Sequence, residues 1–408
     1  MSVITIEPQN SSAYEFHDIV VKECIELYFD KDAIDLNVED YTTLAQLHVF
    51  SFDIFNRHVR SLQDLPLLFP SLRYFSLAYS WFDEAQLSLE DCVILEEMET
   101  LRAVDIYADG LPSLAFVERL PYASLRYTER AYLSDDNNLA EASVLGRDFI
   151  EDRVTGHVME YVKVVDGSHV YELIVTDYEH TEDIWYEWNE ARIFISERRN
   201  DEYFFVDCFD VPGRIPGRCY AHGGLILIDV NFDGQKDILV LQGHFGTQAA
   251  VRYACFLNSG ETYEINESFS YIMNPTIDEQ NMRILSTWRN HSMSHSWAIF
   301  SFENGAFIET DRLTEEPEET GGLREEGLGV EIIVWKNTIE RFSSGYTETE
   351  EYLTSDYTDD EWLIMFYNED SFWGLLSDKW RTLRNQGHLL DWSLYGNGLD
   401  TQIMALIS

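Results

Sequence analysis

Four oxygen-bearing side chains between positions 229 and 237 have the spacing of a cation-binding loop. Asp229, Asn231, Asp233 and Asp237 occupy relative positions 1, 3, 5 and 9, and Gly234 occupies position 6. A hard cation such as Ca²⁺ takes about six to eight oxygen ligands, and a glycine lets the chain turn sharply enough to direct them inward. The spacing therefore predicts a structural Ca²⁺ site with these four side chains as ligands.

The loop departs from a complete EF-hand, because position 12 is Val240 and the bidentate glutamate is missing. What remains, D-x-N-x-D-G-x-x-D, resembles the Ca²⁺ loops between strands in FG-GAP-type repeats. That resemblance implies that the backbone carbonyl of Gln235 is a further ligand and that Asp237 completes the shell. An alternative stays open, in which the segment is an Asx-rich hairpin turn whose carboxylates cap backbone amides.

Acidic residues and tryptophans are interleaved in a second stretch, close to position 190. The acidic residues are Glu182, Asp183, Glu187 and Glu190, and the tryptophans among them are Trp185 and Trp188. A glycosidase needs two carboxylates about 5 to 10 Å apart across a sugar, a separation that a sequence does not give. The mixture of carboxylates and tryptophans nevertheless suggests an alternative function, a calcium-stabilised, carbohydrate-active hydrolase that uses these acidic residues. No G-x-S-x-G motif supports a serine hydrolase.

Two histidines, His291 and His295, are four residues apart, as a helical zinc pair would be. The sequence around them predicts a strand, which also places both on one face. A His-Glu-x-x-His motif and a nearby third ligand are missing. Structural, hydrogen-bonded histidines are therefore the favoured interpretation, with zinc as the alternative.

The charge balance of the chain is strongly acidic. Its 408 residues include 74 acidic and 28 basic ones, which gives a formal net charge of −46 and a pI near 4.3. Nucleic-acid affinity draws mainly on clustered lysines and arginines, so the composition argues against a nucleic-acid partner. Such acidity favours a basic protein, such as a toxin or effector, as the partner; simple solubility is the alternative.

The sequence carries no evident signal for export or membrane insertion. No segment approaches 18 apolar residues, and the start, MSVITIEPQNSS, lacks a basic region and a long apolar core. We therefore expect a cytoplasmic protein without a membrane partner, although a mature exported form would look the same. The five cysteines include no CxxC pair and are predicted to be reduced.

The predicted loop must be positioned by β-strands. LILI and ILVL flank it, and from about 140 to 312 short runs rich in Val, Ile, Tyr, Phe and Trp alternate with turn residues such as Asn304-Gly305. This pattern predicts a mainly antiparallel β-domain. Residues 14–29 have helical spacing of apolar positions, and KWRTLRNQ and LDTQIMALI predict helices near the end of the chain.

Before this β-domain, leucines recur at a nearly constant interval. Leu44, Leu72, Leu101 and Leu125 are 28, 29 and 24 residues apart, and each leads an L-x-x-L/F/V line or its remnant. The interval and strand pattern resemble a short leucine-rich repeat array, and a coincidentally spaced α/β domain is the alternative. The resemblance implies an open, partner-binding face formed by Gln46, His48, Phe50, Tyr74, Ser76, Asp105 and Tyr107.

The segment that begins at DVNFDGQKD and runs through the Asn274-Pro275 turn and the STWRN...SHSWA stretch resembles a further family. It is similar to the β-domain of bacterial immunity proteins that inhibit lysozyme-type, peptidoglycan-cleaving toxins. The resemblance covers about 90 residues. It implies a Ca²⁺-stabilised β-scaffold whose loops are available to plug the cleft of a partner.

Together these patterns predict an α+β fold, in which an N-terminal leucine-rich-repeat-like α/β array precedes a mainly antiparallel β-domain with C-terminal helices. The predicted regions are a helical cap (1–34), the repeat-like region (35–140), the β-domain with the Ca²⁺ loop (141–312), an acidic linker (313–328) and a C-terminal α+β segment packing on the β-domain (329–408). The predicted function is non-enzymatic: a protein-interaction protein with a structural calcium site, of the immunity or inhibitor type.

Overall fold

The structure is a computed structural model. It describes residues 14–51, 59, 61–77, 87–108, 110–127, 138–177, 188–212, 215–216, 224–245, 250–291, 294–317, 333–343 and 346–356. The chain divides into two compact units, Met1–Leu225 with Thr401–Ser408 and Ile226–Asp400. Each unit is described by itself.

The described α-helices all lie in the first unit and are short. They are α1 (Ile19–Phe29), α2 (Val38–Gln46), α3 (Leu65–Leu68), α4 (Leu89–Glu97), α5 (Ala115–Glu118) and α6 (Arg147–Glu151). Side-chain caps mark the starts of α1, α2 and α4. Asn37 and Asp40 form a capping box on α2, and Ser88 and Asp91 form one on α4. Each box satisfies backbone N–H groups that the first helical turn leaves without intrahelical partners.

Nine strands of the described part of the first unit form one mixed sheet. They are β1 (Val49–Ser51), β2 (Tyr74–Leu77), β3 (Ala103–Ala108), β4 (Tyr122–Tyr127), β5 (Val158–Asp166), β6 (His169–Asp177), β7 (Trp188–Arg199), β8 (Glu202–Asp210) and β9 (Ile215–Pro216). The pairs from β1 to β4 are parallel, and the pairs from β4 to β8 are antiparallel. β9 pairs with β7.

The parallel strands show which leucines are equivalent. In the ladder, Val49 faces Tyr74, Tyr74 faces Ala103, and Ala103 faces Tyr122. A leucine lies two positions before each of these residues. These leucines are Leu47, Leu72, Leu101 and Leu120, at spacings of 25, 29 and 19 residues.

Two of the four leucines chosen from the sequence are therefore not equivalent to the others. Leu44 lies inside α2, and Leu125 lies inside β4. Both are buried apolar residues near the expected interval, so sequence spacing alone does not separate them from Leu47 and Leu120. Pairing across the sheet separates them, because it fixes which residues of neighbouring strands are equivalent. A register shift of one residue would reverse the face of every side chain.

A large apolar core lies on the helical side of this sheet. Residues at alternate positions of the parallel strands contribute to it, among them Phe75, Val104 and Leu125, and helical residues such as Ile25 and Phe116 complete it. All five side chains are fully buried. Burial of apolar area on this scale is the main stabilising contribution to the first unit.

The described part of the second unit contains two antiparallel sheets. The first has four strands: β10 (Leu225–Ile228), β11 (Asp237–Phe245), β12 (Ala250–Asn258) and β13 (Tyr263–Ile265). The second has six: β14 (Thr276–Asp278), β15 (Arg283–His291), β16 (Ser294–Glu303), β17 (Ala306–Pro317), β18 (Ile333–Ser343) and β19 (Tyr346–Asp356). The predicted Asn304-Gly305 turn joins β16 to β17, with both residues at positive φ.

The β-rich character of the chain agrees with the predicted mainly β-domain, but the divisions differ. The first sheet continues across position 140, since β4 pairs with β5. In the sequence, the boundary between the two units falls between residues 225 and 226. The first part of the predicted acidic linker, 313–317, belongs to β17. The predicted C-terminal helices lie outside the described residues. None of the described helices is long and apolar enough to cross a membrane.

Candidate functional site

The predicted cation loop connects β10 to β11 in the second unit. LILI and ILVL are strands, as predicted, and residues 229–236 form the turn between them. Gly234 has φ +86°, and Phe232 has φ +64°. The glycine supplies a backbone conformation that other residues adopt at a cost, and the chain reverses within the loop as the sequence pattern requires.

Asp229 organises the backbone of this loop. Its Oδ1 accepts hydrogen bonds from the amides of Phe232 (2.6 Å) and Asp233 (3.2 Å), and its Oδ2 accepts one from Gly234 (2.8 Å). Asn231 and Asp233 are also linked, because the Asn231 side-chain amide donates to Asp233 Oδ2 at 3.0 Å. These contacts are those of the Asx-rich turn that was the alternative to a metal site, and the turn holds the oxygen-bearing side chains at one loop.

Asp237 differs from the other acids of the loop because it is fully buried. The amide of Val230 donates to its Oδ2 at 2.9 Å, and the amide of Asn258 donates to its Oδ1 at 2.8 Å. Burial raises the pKa of Asp237 to about 6, against the effect of these two amides, and the negative charges of Asp233 and Asp229 raise it further. None of the ion pairs among the described residues includes any of these three aspartates.

The donor chemistry of the loop fits a hard cation. Carboxylate oxygens, an amide oxygen and a backbone carbonyl are the ligands that Ca²⁺ takes, and a carboxylate oxygen that accepts one hydrogen bond has a lone pair left. The Gln235 side chain lies next to Gly260, outside the turn itself. Within the described part of the chain, however, no three His, Cys, Asp or Glu side chains already converge as a metal-binding group.

The residues predicted to bind a partner are placed differently from one another. Gln46 and His48 are exposed, and Tyr74 and Tyr107 are half-buried. Ser76 and Asp105 lie on the same face of the sheet as Tyr74 and Tyr107 but are only 2% exposed.

Phe50 points the other way. It is paired with Phe75 in the ladder, belongs to the helical-side core and contacts the Phe69 ring at 4.2 Å. The choice of Leu44 as the first leucine explains this. Leu44 and Leu47 are three residues apart, and an odd shift along a strand moves a side chain to the opposite face of the sheet. Partner binding by the other predicted residues stays a prediction.

A buried polar row crosses the non-helical face of the parallel strands. Ser76, Asp105 and Ser124 face one another in successive strands, and Tyr122 lies two residues before Ser124. All four are buried, and no hydrogen bond of normal geometry reaches the hydroxyls of the two serines or of Tyr122. Buried hydroxyls normally have a hydrogen-bond partner. These three hydroxyls are therefore exceptions among the described residues.

A second buried polar group connects β5 and β6 on the helical side. Glu172 accepts hydrogen bonds from the Tyr161 hydroxyl (2.7 Å), the Val144 amide (3.0 Å) and the Ser143 hydroxyl (3.1 Å). Lys163 is directly opposite it in the ladder and donates to the carbonyls of Val117 and Glu118, at the end of α5. The sequence signal for this group is one acidic residue inside the apolar run HVYELIVT.

Burial shifts both of these charged groups toward their neutral forms. It lowers the pKa of Lys163 to about 8, against the attraction of Glu172 and Glu118. It raises the pKa of Glu172, against the Tyr161 hydrogen bond, the Val144 amide, the Lys163 charge and the Ser143 hydrogen bond. The group is well supplied with partners, which is typical of a structural network.

The outer strand of the first sheet, β8, is unusually apolar for an edge. Phe204, Phe205 and Val206 are 44%, 42% and 50% exposed. The register shifts between Ile195 and Ser196, so that Val206 faces no residue of β7. Most edge strands carry charges or prolines that prevent pairing with another chain. The three consecutive exposed apolar residues of β8 do not prevent such pairing.

Several other predicted features can now be placed. His291 ends β15 and His295 lies in β16, so the two belong to neighbouring strands rather than to one. Glu182, Asp183, Trp185 and Glu187, which support the hydrolase alternative, lie outside the described residues, and Glu190 is exposed in β7. The described cysteines, at 24, 92, 208 and 255, form no disulfide with one another, and the fifth, at 219, lies outside the described residues.

No protein-family model matches this chain, and no curated protein matches it. Among solved structures, the chain is similar to one described as "Structure of a Xanthomonas Type IV Secretion System related protein". The identity is 16% and the TM-score is 0.31, over 47% of this chain and 92% of the other.

Proposed function

We propose that this protein is a non-enzymatic protein-binding protein whose second unit is stabilised by Ca²⁺ bound at residues 229–237. The observation that supports the cation most directly is Asp237. A fully buried carboxylate that lies next to two further aspartates and forms no ion pair with a described residue is unfavourable unless something offsets its charge. A bound cation does so.

The Ca²⁺ ligands in this proposal are the side chains of Asp229, Asn231, Asp233 and Asp237 and the carbonyl of Gln235. Because Asp229 and Asp237 both accept backbone amides, the cation does not have to order the loop from a random state. It has to draw Asp233 and Asn231 inward from exposed and half-exposed positions. The result is a clasp that fixes the register of β10 and β11.

Calorimetric titration of calcium-depleted full-length protein with CaCl₂ tests this site. We expect one site per chain and, for Asp233→Ala, a Kd at least about tenfold higher, because one charged ligand is lost. Asp201→Ala, which removes an exposed aspartate in the first unit, is the matched control and should bind as the unchanged chain does. Absence of saturable binding in the unchanged chain would refute the calcium proposal.

The proposed partner is a basic protein that contributes an extended segment to the β8 edge. An exposed strand edge offers unpaired backbone N–H and C=O groups, and an added strand pairs with them while its side chains cover the apolar ones. Phe204, Phe205 and Val206 supply that apolar surface. The net charge of −46 disfavours a second copy of this chain and favours a cationic partner.

A further part of the proposal is that the partner is a lysozyme-type, peptidoglycan-cleaving toxin, for which this protein is the inhibitor. The sequence resemblance of the segment after DVNFDGQKD supports it, and so does the acidity, because many proteins that act on anionic cell walls are basic. We also propose that β1–β4 with their helical connections form a leucine-rich-repeat-like array led by Leu47, Leu72, Leu101 and Leu120. The parallel register supports that assignment.

Binding to a purified basic lysozyme tests the partner proposal, with cytochrome c as an equally basic protein of unrelated activity. We expect saturable binding that weakens as salt rises, inhibition of cell-wall lysis, and no comparable binding of cytochrome c. The double variant Phe204→Lys/Val206→Lys should weaken binding at least about tenfold. Tyr346→Lys, on the exposed edge strand β19, is the control. Equal binding of both basic proteins would show non-specific attraction and contradict the proposal.

A further inference from the structure

A cavity of about 750 Å³ lies in the first unit, at the end of the sheet where β4 and β6 begin. Its walls come from the ends of α4 and α5, the β5–β6 turn and the β7–β8 turn. The volume falls within the range of small-molecule sites, about 300 to 1,000 Å³. All of its lining residues belong to the described part of the first unit, so the cavity does not depend on how the two units are arranged.

Three arginines from three different elements line this cavity: Arg102, Arg119 and Arg198. Such convergence is unexpected in a chain with 28 basic and 74 acidic residues. The acidic lining residues are Glu96 and Glu118, so the lining has a net positive charge within a strongly negative protein. Guanidinium groups match carboxylate and phosphate oxygens in planar, two-point geometry.

The three arginines differ in how far the protein already uses their donors. Arg119 is committed to structure: its Nη1 and Nη2 donate to the carbonyls of Leu101, Leu95 and Met98, at and beyond the end of α4. Among the described residues, the side chain of Arg102 forms hydrogen bonds through Nη1 alone, to the carbonyls of Glu99 and Leu101.

Arg198 has a side chain that is 56% exposed. Its Nη2 donates to Asp201 at 2.8 Å, in an exposed pair of the kind that contributes little to stability. Its guanidinium also lies 5.9 Å from the centre of the Tyr203 ring, which lines the same cavity. Arg102 and Arg198 therefore have further donors to offer a ligand, whereas Arg119 supplies mainly a fixed positive charge.

The electrostatics of the cavity agree with a site that receives an anion. Burial lowers the pKa of Arg119 and the neighbouring charge of Arg102 lowers it further, against the charges of Glu96 and Glu99, which raise it. Two guanidinium groups that repel each other are stabilised together by an anion placed between them. Between the charged residues, half-buried Pro121, Val165 and Tyr203 supply accessible apolar surface, so the cavity also accommodates a hydrocarbon portion.

We propose that this cavity binds a small organic anion, whose carboxylate or phosphate group is held by Arg102 and Arg198 and whose apolar part contacts Pro121, Val165 and Tyr203. The site shares no residue with the proposed Phe204, Phe205 and Val206 surface of β8 or with the 229–237 loop, and it does not depend on the proposed function. Carboxylate and phosphate share the recognition chemistry, so the ligands of the test distinguish them.

The test uses full-length, calcium-depleted protein in low-salt buffer, titrated calorimetrically with inorganic phosphate, phenyl phosphate or phenylacetate. We expect at least one phenyl ligand to bind saturably at one site per chain, and phenyl phosphate to bind more tightly than inorganic phosphate because its ring contacts the apolar wall. The double variant Arg102→Gln/Arg198→Gln should weaken binding at least about tenfold.

Arg199→Gln is the matched control, because Arg199 is the next residue of β7, is paired with Glu197 and does not line the cavity. It removes a charge from the same strand end and should leave the affinity within about twofold. Circular dichroism confirms that the double variant is folded. Failure of both phenyl ligands to bind the unchanged protein, or equal weakening in Arg199→Gln and the double variant, would overturn the proposal.

Discussion

Glu172 in the first unit and Asp237 in the second are both fully buried carboxylates, but their surroundings differ. Glu172 has three hydrogen-bond donors and faces Lys163 across the β5–β6 ladder. Asp237 has two backbone amides, and its charged neighbours are Asp229 and Asp233. The first carboxylate is compensated by the protein itself. The second has a surplus of negative charge, which a cation would compensate.

The largest effect is expected at the compensated carboxylate. Glu172→Ala removes the acceptor of the Ser143 hydroxyl, the Val144 amide and the Tyr161 hydroxyl. Each buried donor left without an acceptor costs about 1 to 3 kcal/mol of unfolding free energy. Urea unfolding of the first unit measures the loss. Glu151→Ala, which breaks an exposed pair with Arg147, should cost less than about 1 kcal/mol. A similar loss in both variants would contradict the assigned role of Glu172.

The buried ammonium should also produce a pH dependence of stability. The pKa of Lys163 is about 8 in the folded protein, against an ordinary value of 10.5. Between these values the unfolded chain binds more protons, so the free energy of unfolding rises as the pH increases from about 8 to about 10.5, by at most about 3 kcal/mol. Below pH 8 the penalty for the buried charge is fully present.

Urea unfolding at several alkaline pH values measures this contribution as the difference between the unchanged protein and Lys163→Met. The rise in stability should be smaller in Lys163→Met than in Lys22→Met, which removes an exposed lysine paired with Glu26. The two variants share the background titration of the remaining groups. Identical pH profiles would show that Lys163 is not the group responsible.

The smallest effect is expected at the uncompensated carboxylate when calcium is absent. Asp237→Asn removes a buried negative charge, which is favourable, and weakens one backbone hydrogen bond, which is not. The two contributions have opposite signs, so we expect calcium-free stability to change by less than about 1 kcal/mol. A loss as large as that of Glu172→Ala, measured by urea unfolding in calcium-free buffer, would show that Asp237 is compensated within the protein.

The sequence predicted local features better than long-range ones. Residues close together in the chain determine the turn that contains Asp229, Asn231 and Asp233. They also determine the positive φ of Gly234 and the two flanking strands. Such features depend on turn chemistry and strand alternation, which neighbouring residues determine.

The features that the sequence did not predict depend on pairing between distant segments. Leu44 and Leu47 are both apolar, and only the parallel ladder shows that Leu47 is the repeated one. Similarly, the ladder brings Lys163 opposite Glu172, and the cavity lined by Arg102 and Arg198 is assembled from segments almost 100 residues apart. Sequence periodicity gives the face of a residue within one strand but does not give the partner across it.

Thermal unfolding of the second unit with increasing Ca²⁺ tests the cation at Asp237 most directly. A ligand that binds the folded protein alone stabilises it by about 2.7 kcal/mol at one hundred times its Kd. We therefore predict that the melting temperature rises with CaCl₂ and returns to its starting value with chelator. The double variant Asp229→Ala/Asp233→Ala should show no such rise. A melting temperature independent of Ca²⁺ in the unchanged protein, or an equal rise in the double variant, would contradict the proposed site.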